Sequence, residues 1–256
     1  MKNKQFCFLV FLIFLQFNSA RTEDFKVLFQ VTGPIETNCY LIYGVESKEA
    51  ALIDPGWIID TLVTYIKENS LNLKYIFVTH GHIDHFYYIP EIKNLFPDAK
   101  VCMNKDDYRD IFTALEWITE NYGKEWIDEA MSNPDTKKYL EFDMQTLGEP
   151  DIFVEDNQIF QLGTLEVKTI HTPGHSPGSV CYYTGNVLFS GDVLFYRSVG
   201  RTDTQNGSKE ELIKSVRKLY ELFPDSTIVH PGHERFTDIG SEKKENKKIT
   251  LDKENL

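Results

Sequence analysis

The stretch "VTHGHIDH" (Val78 to His85) places His80, His82, Asp84 and His85 within six positions, directly behind a short apolar run. A lone histidine at a strand end is ordinarily a satisfied structural residue; this many imidazoles with a carboxylate in one loop point to metal chemistry. Residues two apart on an extended backbone project the same way, so His80 and His82 can share one cation, while Asp84 and His85, beyond the turn, can reach a second. Zinc takes imidazole nitrogen at about 2.0–2.1 Å and carboxylate oxygen at about 2.0–2.2 Å, and a catalytic ion keeps one position for water. Four ligands are too few for two such ions. The other histidines lie in "HTPGHSPGS" (His171, His175) and "HPGHE" (His230, His233), and "LFSGDVLF" contributes an aspartate, Asp192. His175, His233 and Asp192 are therefore the candidates to complete a two-metal centre.

The elements that must hold these loops are read from periodicity. Period-2 or short apolar runs bounded by turn residues predict strands at "FKVLFQV", "NCYLIYG", "AALIDPG", "YIFVTH", "KVCMN", "NQIFQL", "LEVKTIHT", "SVCYYT", "NVLFSGD" and "STIVHPG". Helical spacing falls between them, at residues 58–68, 90–95 and 209–222, the last with Leu212, Ile213, Val216, Leu219 and Tyr220 as its apolar stripe. Strands and helices thus mix throughout, an α+β pattern. Every histidine follows an expected strand within a few residues.

One segment differs. Residues 105–150 are charged, aromatic-rich and helical in spacing, and carry no histidine or cysteine. They are expected to form a helical insertion between two strands, either covering the core or shaping the substrate mouth. Residues 241–256, "SEKKENKKITLDKENL", are poor in apolar side chains and are expected to fray.

At the other end, Lys2 and Lys4 precede the apolar stretch "FCFLVFLIFLQF", and "NSA" supplies small residues for cleavage. Residues 1–20 read as a secretory signal peptide, with residues 21–240 forming one domain. The mature protein is then expected in a lumenal, periplasmic or extracellular compartment, with no membrane contact after cleavage. Losing Lys2 and Lys4 takes the formal charge from −12 to −14, because no acid precedes Glu23. So acidic a surface disfavours nucleic acid, although a local site can still accept a small anion. Cys39, Cys102 and Cys181 are odd in number and widely spaced, so they read as buried small hydrophobes rather than a disulfide framework.

In their order and separations, "THGHIDH", "TPGHSPGS", "SGDVLF" and "PGHE" resemble the metallo-β-lactamase superfamily. With "NCYLIYG", "LIDPG", "VGRTD" and "FTDIGSEKKEN", the chain is similar to the small, single-domain glyoxalase II-like (hydroxyacylglutathione hydrolase-like) branch. The likeness runs from about Phe25 to Lys247 and is weakest in the insertion. It implies an αββα sandwich of two mixed sheets flanked by helices, with metals at one edge. Carried over by position, His80, His82 and His175 would hold one divalent ion, Asp84, His85 and His233 the other, and Asp192 would bridge them. Asp54 would stand behind the ligands and orient them by hydrogen bonding, or simply open the "DPG" turn. His171 and His230 match no ligand position. Zinc is the expected metal, with iron or manganese also compatible with imidazole and carboxylate.

Two cations sharing a carboxylate lower the pKa of water from about 15.7 toward 7. The hydroxide so generated would attack a carbonyl, with Asp84 and Asp192 as the catalytic carboxylates. A thiolate leaves readily, so a thioester such as S-D-lactoylglutathione is the expected substrate. The resemblance departs in two places: the helical glutathione-binding domain of two-domain glyoxalase II enzymes is not expected after His233, and Thr202 and Asp203 stand where those enzymes place an aromatic pair. Arg201 could grip a substrate carboxylate or make a structural ion pair. The rival readings are a mononuclear-iron persulfide dioxygenase, which shares a similar "GRTD" loop, and another esterase or lactonase of the same fold. A non-catalytic metal-binding protein would be expected to have lost ligands, and none of the seven is missing.

Overall fold

Every apolar run read as a strand is a strand in the computed structural model, which describes residues 13–15 and 24–249. The first sheet joins β1 (Ile13–Leu15), β2 (Phe25–Thr32), β3 (Thr37–Gly44), β4 (Glu49–Ile53), β5 (Asn72–Phe77), β6 (Lys100–Met103) and β7 (Ile152–Phe153) in sequence order. Its first four strands pair antiparallel, and from β4 onward the pairs are parallel. The second sheet takes β8 (Ile159–Leu162), β9 (Leu165–His171), β10 (Val180–Thr184) and β11 (Val187–Gly191), then β14 (Ile228–Pro231) and β15 (Thr237–Asp238) beyond β11. A small separate ribbon pairs β12 (Leu194–Phe195) with β13 (Ser198–Val199). Only β11 and β14 run parallel in the second sheet. Both sheets are therefore mixed.

Helices cover the two outer faces: α1 (Asp60–Glu68), α2 (Ile83–Phe86), α3 (Ile89–Leu95) and α4 (Lys105–Asp110) on the first, and α7 (Lys209–Leu222) and α8 (Ile239–Glu245) on the second, with α5 (Ala114–Ser132) and α6 (Pro134–Leu140) between β6 and β7. Three cores separate these layers. Leu62, Ile66, Ile89 and Ile92 pack with Leu41 and Leu52; Phe77, Phe160, Tyr182 and Phe189 fill the space between the sheets; Leu212, Val216 and Leu219 meet Leu188 and Val229. The result is the expected αββα sandwich. The Phe77 and Tyr182 rings stack at 4.6 Å, a contact worth about 0.5–1.5 kcal/mol beyond burial. The Tyr182 hydroxyl also donates to Val78 O at 3.0 Å, tying the sheets together just before His80.

The insertion divides its work. Ile111 and Leu147 join the outer core of the first sheet, and Tyr139 is buried, while α5 buries no side chain at all. The C-terminal stretch departs from expectation. Residues 239–245 form α8 instead of fraying at Ser241, because Asp238 caps Ser241 N at 2.7 Å and the wholly buried Glu242 binds the Arg197 guanidinium at 2.6 Å. Asn246 and Ile249 are buried behind it; residues 250–256 lie outside the described residues. At the N-terminus, Ile13–Leu15 lies inside the stretch read as a signal peptide and pairs antiparallel with Phe25–Val27. The remainder of that stretch, residues 1–12 and 16–20, also lies outside the described residues. No described helix is long and apolar enough to cross a membrane. Cys39, Cys102 and Cys181 are buried and free.

Candidate metal centre

The C-terminal ends of β4, β5, β9, β11 and β14 reach one edge of the sandwich, and Asp54, His80, His175, Asp192 and His233 follow them within a few residues. Backbone polar groups that leave a ladder there are met by side chains. Asp54 Oδ1 accepts Thr79 N at 2.8 Å, and its Oδ2 accepts Thr79 Oγ1 at 2.7 Å. The Asn38 amide donates to Pro231 O and Glu234 O, and Tyr40 Oη to Pro231 O, so "TNCY" fastens the "PGHE" turn. Two glycines permit the crowding: a Cβ on Gly56 would fall on the backbone carbonyl of Asp84, and one on Gly232 would meet Asp192 Oδ1 and His85 Cε1.

Two groups of side chains result, each with one ligand atom per residue lying within 4.8 Å of the others: His80, His82, His175 and Asp192 in one, and Asp84, His85 and His233 in the other. Asp192 faces both. Its Oδ2 lies 3.6 Å from His175 Nε2 and 3.5 Å from His233 Nε2, and its Oδ1 lies 3.6 Å from His85 Nε2. That Oδ1 is buried without a hydrogen-bond partner, an arrangement that costs about 1–3 kcal/mol or more for a charged group unless something fills it.

The imidazoles are oriented from behind. His175 Nδ1 donates to Arg201 O at 2.8 Å, His233 Nδ1 to Ile35 O at 3.1 Å and His85 Nδ1 to Asp54 Oδ2 at 2.9 Å. Thr79 Oγ1, already donating to Asp54, accepts from His80 Nδ1 at 3.0 Å. Each acceptor fixes its ring in the tautomer that leaves Nε2 facing inward. His82 turns the other way. Its Nδ1 lies 3.1 Å from His80 Nε2 and 3.0 Å from His175 Nε2. Three ring nitrogens, at most one of them carrying a hydrogen between neutral rings, converge on one point. Converging lone pairs beside an unpartnered carboxylate oxygen fit a cation, and the donor set fits a borderline divalent metal.

Charge separates the groups further. Burial lowers the pKa of His80, His82 and His175, His82 to about 3, with neighbouring imidazoles acting in the same direction. Burial would depress His85 and His233 too, but their carboxylate neighbours outweigh it: Asp84, Asp192 and Asp54 push His85 up to about 9, and Asp192 and Asp84 push His233 up to about 11. Burial opposes ionisation of Asp84 and Asp192, yet the same imidazoles hold both carboxyls below the usual range. Without metal, the second group therefore neutralises its carboxylates with protons that a cation would replace.

The structure also separates the remaining candidates. The guanidinium of Arg201 is bound by Asp203 at 2.8 and 3.0 Å and by Tyr122 Oη. His230 lies stacked at 4.1 Å on Phe236, away from both groups, and His171 Nε2 contacts Pro177 O at 2.9 Å. A cavity of about 530 Å³ with mostly apolar walls adjoins the His233 turn, lined by Phe29, Val31 and Phe236 together with Asn38 and Arg235. Thr37 and Asp107 were invisible in the sequence. Thr37 Oγ1 donates to Asp84 Oδ2 at 2.7 Å, and its only signal was its place ahead of "NCYLIYG". Asp107, one acid among several in "KDDYRD", accepts Gly81 N at 2.7 Å, Ser176 Oγ at 2.6 Å and Gly178 N at 2.5 Å.

Comparison with known proteins agrees with this geometry. Residues 32–233 match the profile of the metallo-beta-lactamase superfamily. The hydroxyacylglutathione hydrolase GloC of Haemophilus influenzae is 33% identical over 213 residues, covering 82% of this chain and 92% of that protein. Among solved structures, the B3 metallo-beta-lactamase BLEG-1 superposes with a TM-score of 0.69 at 33% identity, over 88% of this chain and 99% of its own. The di-iron-bound form of TTHA1623 gives 0.66 at 28% identity, over 86% and 98%.

Proposed function

The chain belongs to the metallo-beta-lactamase superfamily, and on that premise we propose that it is a two-metal hydrolase of thioesters, with S-D-lactoylglutathione as the representative substrate. The observation that carries this reading is the pair of ligand groups with Asp192 facing both. His80, His82 and His175 would hold one divalent cation, Asp84, His85 and His233 the other, and Asp192 would contact both. The bound pair supplies Lewis acidity toward a carbonyl and brings the pKa of water near 7. Zinc suits the donor set; the di-iron relative supports iron equally.

The chain's own residues do the rest. Thr37 holds Asp84 Oδ2 and Asp54 holds His85 Nδ1, so neither ligand must reorganise as charge develops. Asp84, held by Thr37, is the carboxylate placed to receive a proton from attacking water, while Asp192 Oδ1, without a protein donor, is left to a cation. A thiolate leaves without prior protonation, which suits a site whose inward atoms are imidazole nitrogens and carboxylate oxygens. Glutathione recognition draws support from the 33% identical GloC. Arg201 is the proposed grip for a substrate carboxylate, which would have to displace the exposed Asp203. The reading includes a leader: residues 1–20 direct secretory entry and are removed, leaving β2 as an edge strand. Recovery of Met1 in the mature protein by N-terminal sequencing would refute the leader.

The test is the steady-state rate of S-D-lactoylglutathione cleavage, with bound metals quantified on the same sample. A kcat/KM of roughly 10⁴ M⁻¹s⁻¹ or more, within the ordinary enzymatic range, is expected with two metals bound. Two metals without cleavage would move the substrate to another ester or thioester, and oxygen uptake with a persulfide would move the reaction to dioxygenation.

A further inference from the structure

Asp107 belongs to α4, at the start of the insertion, and none of the chemistry above uses it. It is 1% exposed. All the partners of its carboxylate lie in the two loops that carry the first ligand group. Oδ2 accepts Gly81 N at 2.7 Å and Ser176 Oγ at 2.6 Å, and Oδ1 accepts Gly178 N at 2.5 Å. Gly81 separates His80 from His82, and Ser176 follows His175. The carboxylate therefore bridges backbone to backbone between loops almost a hundred residues apart in sequence.

Both loops are shaped around it. A Cβ on Gly178 would meet Asp107 Oδ1 at 2.5 Å, and one on Gly81 would meet Asp107 Cβ at 3.1 Å. Glycine at each contact lets the main chain approach the carboxylate closely enough to donate. Ser176 is held in turn by Ser179, with Oγ to Oγ at 2.7 Å and Ser176 N to Ser179 Oγ at 3.2 Å. A buried carboxylate is costly unless its lone pairs are filled, and a covering helix would be served as well by an apolar side chain. What the carboxylate adds is a fixed separation between the loops. Across that separation His82 Nδ1 lies 3.0 Å from His175 Nε2.

We propose that Asp107 is the positioning residue of the first metal group: by clamping Gly81 to the Ser176–Gly178 turn, it sets the spacing of His80 and His82 against His175. The Asp107 carboxylate makes no bond to the second group, where Asp54 stands behind His85 and Thr37 behind Asp84. The clamp should therefore affect one metal and spare the other. This inference rests on the two-metal reading of the site.

The test titrates the metal-free full chain with cobalt(II), following visible absorption for the two binding steps, in the wild type and in Asp107→Asn and Ser176→Ala. The wild type is expected to bind two cobalt ions. Asp107→Asn turns one acceptor into an amide facing a donor and should weaken one step by about 10–100-fold, as loss of an outer partner does, with the other within about 2-fold. Ser176→Ala removes one of the three bonds and should weaken the same step by a smaller factor, with kcat falling and KM held. Equal weakening of both steps, or lower thermal stability with both affinities unchanged, would overturn the clamp and leave Asp107 a residue of fold stability alone. If Asp107→Asn does not fold, Ser176→Ala decides by the same criterion. A wild type that binds fewer than two cobalt ions would overturn the two-metal reading and the clamp together.

Discussion

The ligand rim and helix α5 are linked through Arg201 and Tyr122, yet they are built by opposite rules. In the rim, His80, His85, His175 and His233 each have their outer nitrogen bound, and Asp54, Asp84 and Asp107 are held by named donors. Helix α5 buries nothing, is interrupted at Gly123 by a φ of +77°, and exposes Leu115 and Trp126. It reaches the rim through Tyr122 on Arg201, and the turn before it through Gln205 on Thr113. Reacting groups need positions fixed to fractions of an ångström, and that demands buried, fully bonded partners. A helix that carries no reacting group needs no such fixing, and loose attachment suffices.

The comparison is tested most severely at Asp192. Asp192→Asn removes the one carboxylate that faces both groups, so metal content by elemental analysis and thioester turnover should both collapse. The loss should exceed the roughly 10–100-fold typical of an outer partner. Next comes Asp54→Ala, which strips the acceptor from His85 Nδ1 and from Thr79. Metal affinity should fall about 10–100-fold, and chemical denaturation should show about 1–3 kcal/mol less stability from the unmet donors.

A smaller effect follows from protonation. In the metal-free protein the raised His85 and His233 contribute stability that is fully present below their ordinary pKa of about 6.5 and is lost as pH rises through about 9 and 11. Thermal unfolding should therefore show the metal-free form weakening between about pH 7 and pH 10, with the loaded form spared. Loading metal at neutral pH should release about two protons, measurable by calorimetry in buffers of different ionisation enthalpy. The smallest effect is expected on α5. Trp126→Ala and Tyr122→Phe should leave stability within about 0.5 kcal/mol and kcat unchanged, altering KM alone. A large stability loss there would erase the contrast between the two regions.

Much of this was legible in the sequence because it depends on local pattern. Period-2 runs and the α7 stripe depend only on neighbouring residues, and all became the expected elements. The His-rich loop betrayed itself by density. The C-terminal stretch was misread because its apolar content is low; Glu242 is polar yet wholly buried against Arg197, a partner 45 residues away. Arg201 offered two readings, and its ion pair with Asp203 became visible only in three dimensions.

What the sequence alone determined is the inventory: alternating elements, seven metal-competent side chains at strand ends, and an insertion of different character. Which ring nitrogen faces inward, which carboxylate reaches both groups and which acid among "KDDYRD" closes on the ligand loops were decided by tertiary structure. Hydrogen bonds form over about 3 Å, and only folding brings Gly81, Asp107 and Gly178 within that reach.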